Sequence, residues 1–221
     1  MADRESRDSF AAKLRESGND AWEIGNELFT ITYVFDHNPR IPRALTDPGR
    51  PTEDKVALLN NLLGKQALPL TMEILTDLVG RSWSRAGDID NAIEDFAVDA
   101  MMYQADDEKK TLKVSGQLAQ LRSALLNLPV VRSDLSDSQG PLNVRYELLH
   151  ALIDGADFDR ITVRLAEHCT RNPRNRRYLE SVQWLINKFS RHMGESMVTV
   201  TTATPLKKEQ IKRLVEVYSA K

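Results

Sequence analysis

Leu45–Leu62 reads LTDPGRPTEDKVALLNNL, and Leu135–Leu152 reads LSDSQGPLNVRYELLHAL. Set 90 residues apart, the two stretches are identical at six of 18 positions: Leu45/Leu135, Asp47/Asp137, Pro51/Pro141, Leu58/Leu148, Leu59/Leu149 and Leu62/Leu152. Roughly one or two matches are expected by chance, because leucine is common. A one-residue slip then pairs Thr71 with Thr162 and Ile74 with Leu165. The matches fall on a polar turn and on the apolar face of the helix that follows it. They predict a duplicated architecture, two similar helix bundles in series.

Working outward, apolar residues recur at helical spacing through most of the chain. A first helix is expected from about Asn19 to Asp36, with Trp22, Leu28, Phe29 and Phe35, and Asn38-Pro39 breaks it. A short helical piece follows over Ile41–Leu45. After the turn Thr46–Pro51, a helix carries Val56, Leu59, Leu62 and Leu63 and stops near Gly64. Further helices are expected over Leu70–Val79 and Asp88–Gln104. Beyond the charged stretch Asp106–Lys110 the order of elements starts again. Leu118, Leu121, Leu125 and Leu128 form a stripe that Pro129 closes, and Asp134–Asp137 reads as a polar turn. Helices follow around Leu148–Ile153, Ile161–Cys169 and Arg177–Met193. Met197–Thr202 is β-branched and alternating, which predicts a strand, and Leu206–Tyr218 predicts a last helix. One strand and one helix cannot close a core, so the residues that would complete this module are expected to be absent. The expected fold class is therefore mainly α. It comprises a first bundle over residues 1–108, a second over 109–195, and the start of a β-α module over 196–221.

The 221 residues are 41% hydrophobic and 28% charged, ordinary for a globular chain able to bury a core. No apolar run reaches the roughly 18 residues of a membrane helix, and the charged start does not read as a secretory signal. The net charge of −2 conceals a split. Residues 1–110 hold 13 basic against 21 acidic groups, and residues 111–221 hold 17 against 11. Two modules facing different partners, or each other, would produce such a split.

The sequence has no phosphate-binding glycine loop and no dinucleotide fingerprint. Cys169, the only cysteine, has His168 beside it, but neighbours on a helix point in different directions, so a core thiol is expected. Glu147 and His150 have the spacing of a di-iron bundle ligand pair, without a second copy. Asp88-Ile89-Asp90-Asn91 resembles the start of a calcium loop, lacks its glycine and closing glutamate, and reads better as acidic residues opening a helix. The basic run Arg171–Arg177 could meet phosphates, but few aromatics are interleaved with it. A loop between helices, or a contact to an acidic protein surface, is the expected role. Trp22, Trp83 and Trp184 are expected in the core. No catalytic residue, metal or cofactor is expected.

The segment Ser196–Leu214, SMVTVTTATPLKKEQIKRL, resembles the delta subunit of F-type ATP synthase, known in mitochondria as the oligomycin-sensitivity-conferring protein. So do Arg43-Ala44-Leu45-Thr46-Asp47-Pro48, Lys55-Val56-Ala57-Leu58-Leu59 and Leu62-Leu63-Gly64. The duplicated bundle and Asp3-Arg4-Glu5-Ser6 are similar to the enlarged actinobacterial form. The usual continuation of the tail, a Gly-Gly turn and a Val-Gly-Asp segment, is missing. The resemblance implies a non-catalytic peripheral-stalk subunit on the cytoplasmic face of the plasma membrane, without membrane insertion. It implies that the protein ties the alpha subunits of the catalytic head to the b subunit and resists rotor torque. It also implies a groove between the first and fifth bundle helices for amphipathic N-terminal helices of alpha subunits. Residue by residue, that groove maps to Phe10, Leu14, Ile74, Leu75 and Leu78, and in the second copy to Ile161 and Leu165. Val198, Val200, Leu206 and Leu214 map to the tail module that meets the b stalk. A helical-repeat adaptor is the alternative reading; it would form one continuous superhelix.

Overall fold

The computed structural model of the protein describes residues 2–64, 66–174, 176–194 and 206–219. Among these residues there are twelve α-helices and no strand. The first six are α1 (Ala2–Glu16), α2 (Asp20–His37), α3 (Arg40–Thr46), α4 (Thr52–Leu63), α5 (Pro69–Gly80) and α6 (Gly87–Asp107). The remaining six are α7 (Thr111–Leu126), α8 (Pro129–Ser136), α9 (Leu142–Ile153), α10 (Arg160–Arg171), α11 (Tyr178–His192) and α12 (Lys208–Ser219). The strand expected over Met197–Thr202 lies outside the described residues.

Two elements differ from the expectations. Helix α1 precedes the helix expected to be first. It is mostly polar, and its stripe consists of Phe10 and Leu14, both buried. Gly18, at φ 55°, gives the left-handed turn that separates it from α2. Helix α8 occupies part of what reads as a polar turn. Pro129 closes the stripe of α7 and also opens the next helix, where a proline costs no hydrogen bond.

The duplication is written in the helix boundaries. Helices α4 and α9 begin and end 90 residues apart, and α5 and α10 begin and end 91 apart. The slip sits in the preceding connection, residues 64–68 in the first copy and 154–159 in the second. Leu45/Leu135 and Leu59/Leu149 are fully buried in both copies, as are Ile74/Leu165 and Thr71/Thr162. The 91-residue shift also carries the end of α1, Glu16, onto the end of α6, Asp107. Helix α6 is therefore the last helix of the first copy, and its C-terminal half is the first helix of the second. It packs against α1, α2, α3 and α5 on one side and α7, α10 and α11 on the other. The boundary expected at 108/109 falls at the end of this shared helix.

A polar clamp recurs with the repeat. Glu27 of α2 accepts from the Leu68 N–H at 2.9 Å and from Thr71 Oγ1 at 2.6 Å. Gln117 of α7 accepts from the Asp159 N–H at 2.9 Å and from Thr162 Oγ1 at 2.7 Å. Leu68 and Asp159 are the N-caps of α5 and α10. Each clamp thus fixes the start of the fifth helix of its copy and satisfies a backbone donor there. Replacing Gln117 by Ala is expected to destabilise the protein by roughly 1–3 kcal/mol, because it orphans two buried groups. Urea unfolding measures this, and Gln117→Glu, which retains the acceptor but sets a carboxylate against the Asp157 carbonyl that Gln117 Nε2 serves at 2.7 Å, should recover only part of the loss.

Candidate docking site

The groove implied by the family resemblance has two counterparts in the repeat, the α1/α5 seam and the α6/α10 seam. All seven bundle residues mapped to it are buried: Phe10, Leu14, Ile74, Leu75 and Leu78 in the first copy, Ile161 and Leu165 in the second. Their side chains belong to the core beneath the two seams. What lies above each seam differs between the copies.

Above the α6/α10 seam lies α2. Its Trp22, Asn26, Phe29 and Tyr33 recur at alternating four- and three-residue steps, one stripe of a helix. On α10, Arg160, Arg164, His168 and Arg171 form the matching stripe. Arg160 stacks over Trp22 at 4.3 Å, Arg164 over Phe29 at 4.9 Å and Arg171 over Tyr33 at 3.9 Å. The His168 ring stacks on Phe29 at 4.0 Å, and Arg164 Nε donates to Asn26 Oδ1 at 2.5 Å. The same helix packs closely on α6. A Cβ on Gly25 would stand 2.7 Å from Met101 Cε and 3.3 Å from the Ala97 carbonyl. The Trp22 N–H donates to Gln104 Oε1 at 3.0 Å, which pairs an otherwise orphan donor at the start of α2. Sequence reading assigned Trp22 and Phe29 to a generic core.

Charge closes the far end of this interface. Glu94 of α6, 1% exposed, accepts from His168 Nε2 at 2.9 Å and from Arg176, with Arg174 at 3.7 Å. Burial alone would raise the Glu94 carboxyl, but the His168 hydrogen bond and the two guanidinium charges outweigh it and hold it below the usual range. Burial pushes the His168 imidazole down, so the neutral ring serves as donor. Asp90, one turn earlier, is also buried, and its Oδ1 has no hydrogen-bond partner. Burial pushes its carboxyl up to about 7.

The α1/α5 seam is different. Ser6 Oγ donates to Asp77 at 2.6 Å, Arg81 pairs with Asp77 at 2.7 Å and with Glu5 at 3.3 Å, and Lys13 pairs with Glu73 at 2.5 Å. Ser9, Ala12, Lys13, Glu16 and Glu73 are exposed. At one end lies a cleft of about 340 Å³, with Ile24, Leu68, Pro69 and Leu70 among its lining and Glu16, Asp20 and Glu73 around it. Glu73 and Asp77 correspond, 91 residues on, to Arg164 and His168. Where the second copy presents a guanidinium and a neutral imidazole to α2, the first has an exposed carboxylate, Glu73, and a half-buried one, Asp77, held by Ser6 and Arg81.

The other candidates resolve as structural groups. Cys169 is buried, and burial pushes its thiol up to about 12, far from a reactive thiolate. His150 pairs at 3.0 Å with Glu167 rather than with Glu147. Asp88 accepts from the Arg85 N–H at 3.1 Å at the start of α6. Trp22, Trp83 and Trp184 are partly buried and pack against the core. Leu206 and Leu214 are half-buried at the tail, and Val198 and Val200 lie outside the described residues. Among the described residues there is no group of three His, Cys, Asp or Glu placed to hold a metal, and no helix long and apolar enough to cross a membrane.

The fold defines the class, a duplicated helix bundle in which α2 covers the α6/α10 seam while no helix among the described residues covers the α1/α5 seam in the same way. Comparison with known proteins gives the family. Residues 95–221 match the family model of the ATP synthase delta (OSCP) subunit, and the match begins inside the shared helix α6. The whole chain is 94% identical to ATP synthase subunit delta of Bifidobacterium animalis subsp. lactis strain AD011, and spans 80% of that protein. It is 68% identical to the Bifidobacterium adolescentis subunit over the same span. Against the Beutenbergia cavernae subunit it is 25% identical over 210 residues, 95% of this chain and 77% of that one. The chain belongs to the ATP synthase delta (OSCP) subunit family.

The buried carboxyl of Asp90 gives a pH test. Its folded-state value, about 7, lies above the 3.8 of a free aspartate, so the protonated acid is the form the fold prefers. Its stabilising contribution is present below the unfolded value and is lost as pH rises through 7. Asp90→Asn is expected to be more stable than the parent at alkaline pH by roughly 1–4 kcal/mol, and nearly equal to it near pH 4. Thermal unfolding across that range measures the difference.

Proposed function

We propose that this chain, a non-catalytic peripheral-stalk subunit of an F-type ATP synthase by its family, grips the catalytic head through the α1/α5 seam. The occupant is the amphipathic N-terminal helix of an alpha subunit. Phe10, Leu14, Ile74, Leu75 and Leu78 form the floor beneath that helix, and the apolar cleft beside Leu68 and Leu70 takes one of its side chains. The observation that carries this reading is the filled α6/α10 seam. There α2 covers both equivalent helices, so Ile161 and Leu165 support an internal contact and leave no room for a partner. Helix-in-groove docking buries an apolar face in a slot whose backbone is already ordered. Its entropic cost falls mostly on the incoming peptide.

The rim of the α1/α5 seam specifies charge. Glu16, Asp20 and Glu73 surround the cleft, against Lys13 alone. The partner helix therefore carries basic residues on the flank facing α5. The tail is the second attachment. Val198, Val200, Leu206 and Leu214 belong to the tail segment that meets the b subunit in this reading, and the complex stands at the cytoplasmic face of the plasma membrane without membrane insertion. A link of this kind transmits torque when both contacts are tight and the body between them is stiff.

Titrating the full chain with an alpha-subunit N-terminal peptide in a calorimeter tests the reading. One peptide per chain is expected. Charge reversal at Glu73 (Glu73→Lys) should weaken binding by about tenfold, near 1.4 kcal/mol. Charge reversal at the exposed Arg160 (Arg160→Glu) should leave affinity unchanged. Two peptides per chain, or affinity indifferent to Glu73, would reject the α1/α5 assignment.

A further inference from the structure

Where α2 ends, the α8–α9 turn, α9 and the α10–α11 connection converge on a cleft of about 490 Å³. Five arginines line it, Arg145, Arg171, Arg174, Arg176 and Arg177, together with Asn172. Asp36 is the single carboxylate among the lining residues. Glu94 lies beneath and takes up Arg176 and part of Arg174. Positive charge is thus left over inside a concave site whose size falls in the range of small-ligand pockets.

The donors of this cleft are only partly used. Arg145 Nη1 donates to the Thr170 carbonyl at 2.6 Å, and Arg174 Nη2 to Asn91 Oδ1 at 3.0 Å. Arg145 Nε, Arg171 Nε, Asn172 Nδ2, Arg174 Nη1 and Arg176 Nε are buried without a hydrogen-bond partner. Arg145 is 7% exposed and Asn172 4%, so bulk water does not readily serve either. Buried donors left unmade are costly, and a folded protein rarely carries several at one place without an acceptor to meet them. The five guanidinium side chains come from α9, α10 and the loop after it, and so line one volume from several directions. A planar carboxylate satisfies one guanidinium fork, whereas a tetrahedral phosphoryl group offers several oxygens at once.

We propose that this cleft is a binding site for a phosphate-bearing ligand, with Arg145, Arg171, Asn172 and Arg176 donating to its phosphoryl oxygens. The site joins the C-terminal end of α2 to the second copy, so an occupied cleft braces the contact between the two bundles. It lies apart from the α1/α5 seam and is independent of the docking reading.

The test uses the full chain at low ionic strength, with inorganic pyrophosphate as the free probe. Expected are saturable heat in calorimetry and a melting temperature that rises with pyrophosphate concentration by mass action. Two variants are compared: Arg177→Gln, at an exposed position, and Asn172→Asp, at a buried one, which keeps shape and adds a repelling charge. Arg177→Gln should melt close to the parent without ligand, and a parent-like circular-dichroism spectrum shows that Asn172→Asp is folded before its binding is read. Each should weaken pyrophosphate about tenfold or more. Co-sedimentation with vesicles of phosphatidylglycerol and phosphatidylcholine, against phosphatidylcholine alone, separates the sources. Binding confined to the anionic vesicles and lost in the variants assigns the phosphate to a lipid headgroup. Pyrophosphate binding without vesicle binding assigns it to a free ligand. Neither probe binding, or binding equal in parent and variants, overturns the proposal.

Discussion

The packing of α2 on α6 is the contact from which the rest of the molecule is hung. Helix α6 is buried along most of its length, from Ile89 to Ala105, and its alanines 92, 97, 100 and 105 keep its surface narrow. Gly25 brings α2 closer still, because any larger side chain there would run into Met101 and the Ala97 carbonyl. A helix buried on nearly every side, with carboxylates such as Glu94 and Asp99 among its buried groups, needs neighbours on every side and partners for those charges. In this chain they come from both copies of the repeat, and the hydrophobic cluster is continuous from Phe10 to Phe189. Sharing α6 removes an interface that two separate bundles would have had to form by docking.

Charge follows the same line. The acidic first half and the basic second half meet across this junction: Arg160 with Glu108, Arg176 with Glu94, Lys188 with Asp95, and His192 with Asp106. Of the two explanations for the split, modules facing each other accounts for these pairs. Buried ion pairs contribute little net stability, since desolvating the charges offsets most of their attraction. They do penalise wrong arrangements, because shifting α10 along α2 by one turn would separate each arginine from its aromatic ring and Glu94 from His168. The cation–π stripe and the ionic cluster therefore set register, while apolar burial supplies most of the cohesion.

For a stalk subunit this construction has a mechanical consequence. Two bundles joined by a loop would hinge under load. Two bundles that share a helix, with the second seam filled by a helix of the first, deform only by breaking packed contacts. The seam between α6 and α10 is thus covered by a helix of the first copy.

The sequence by itself determined the helical class, the duplication and its 90-residue register. Those features rest on local signals: periodic apolar faces, proline at helix starts, and a turn repeated with its flanking leucines. It also carried the family, through the tail segment and the order of the bundle motifs. Helix α1 was harder to read, because two apolar residues in a charged stretch form a stripe only when a partner surface exists. The tertiary structure alone decided that α6 serves both copies and that α2 lies over α10. It likewise decided that Arg145 and Asn172 share a cleft with residues from three other elements. Each of these joins residues far apart in the chain through side-chain geometry. Helical periodicity records which face of a helix is apolar, but it carries no information about which other helix will cover that face.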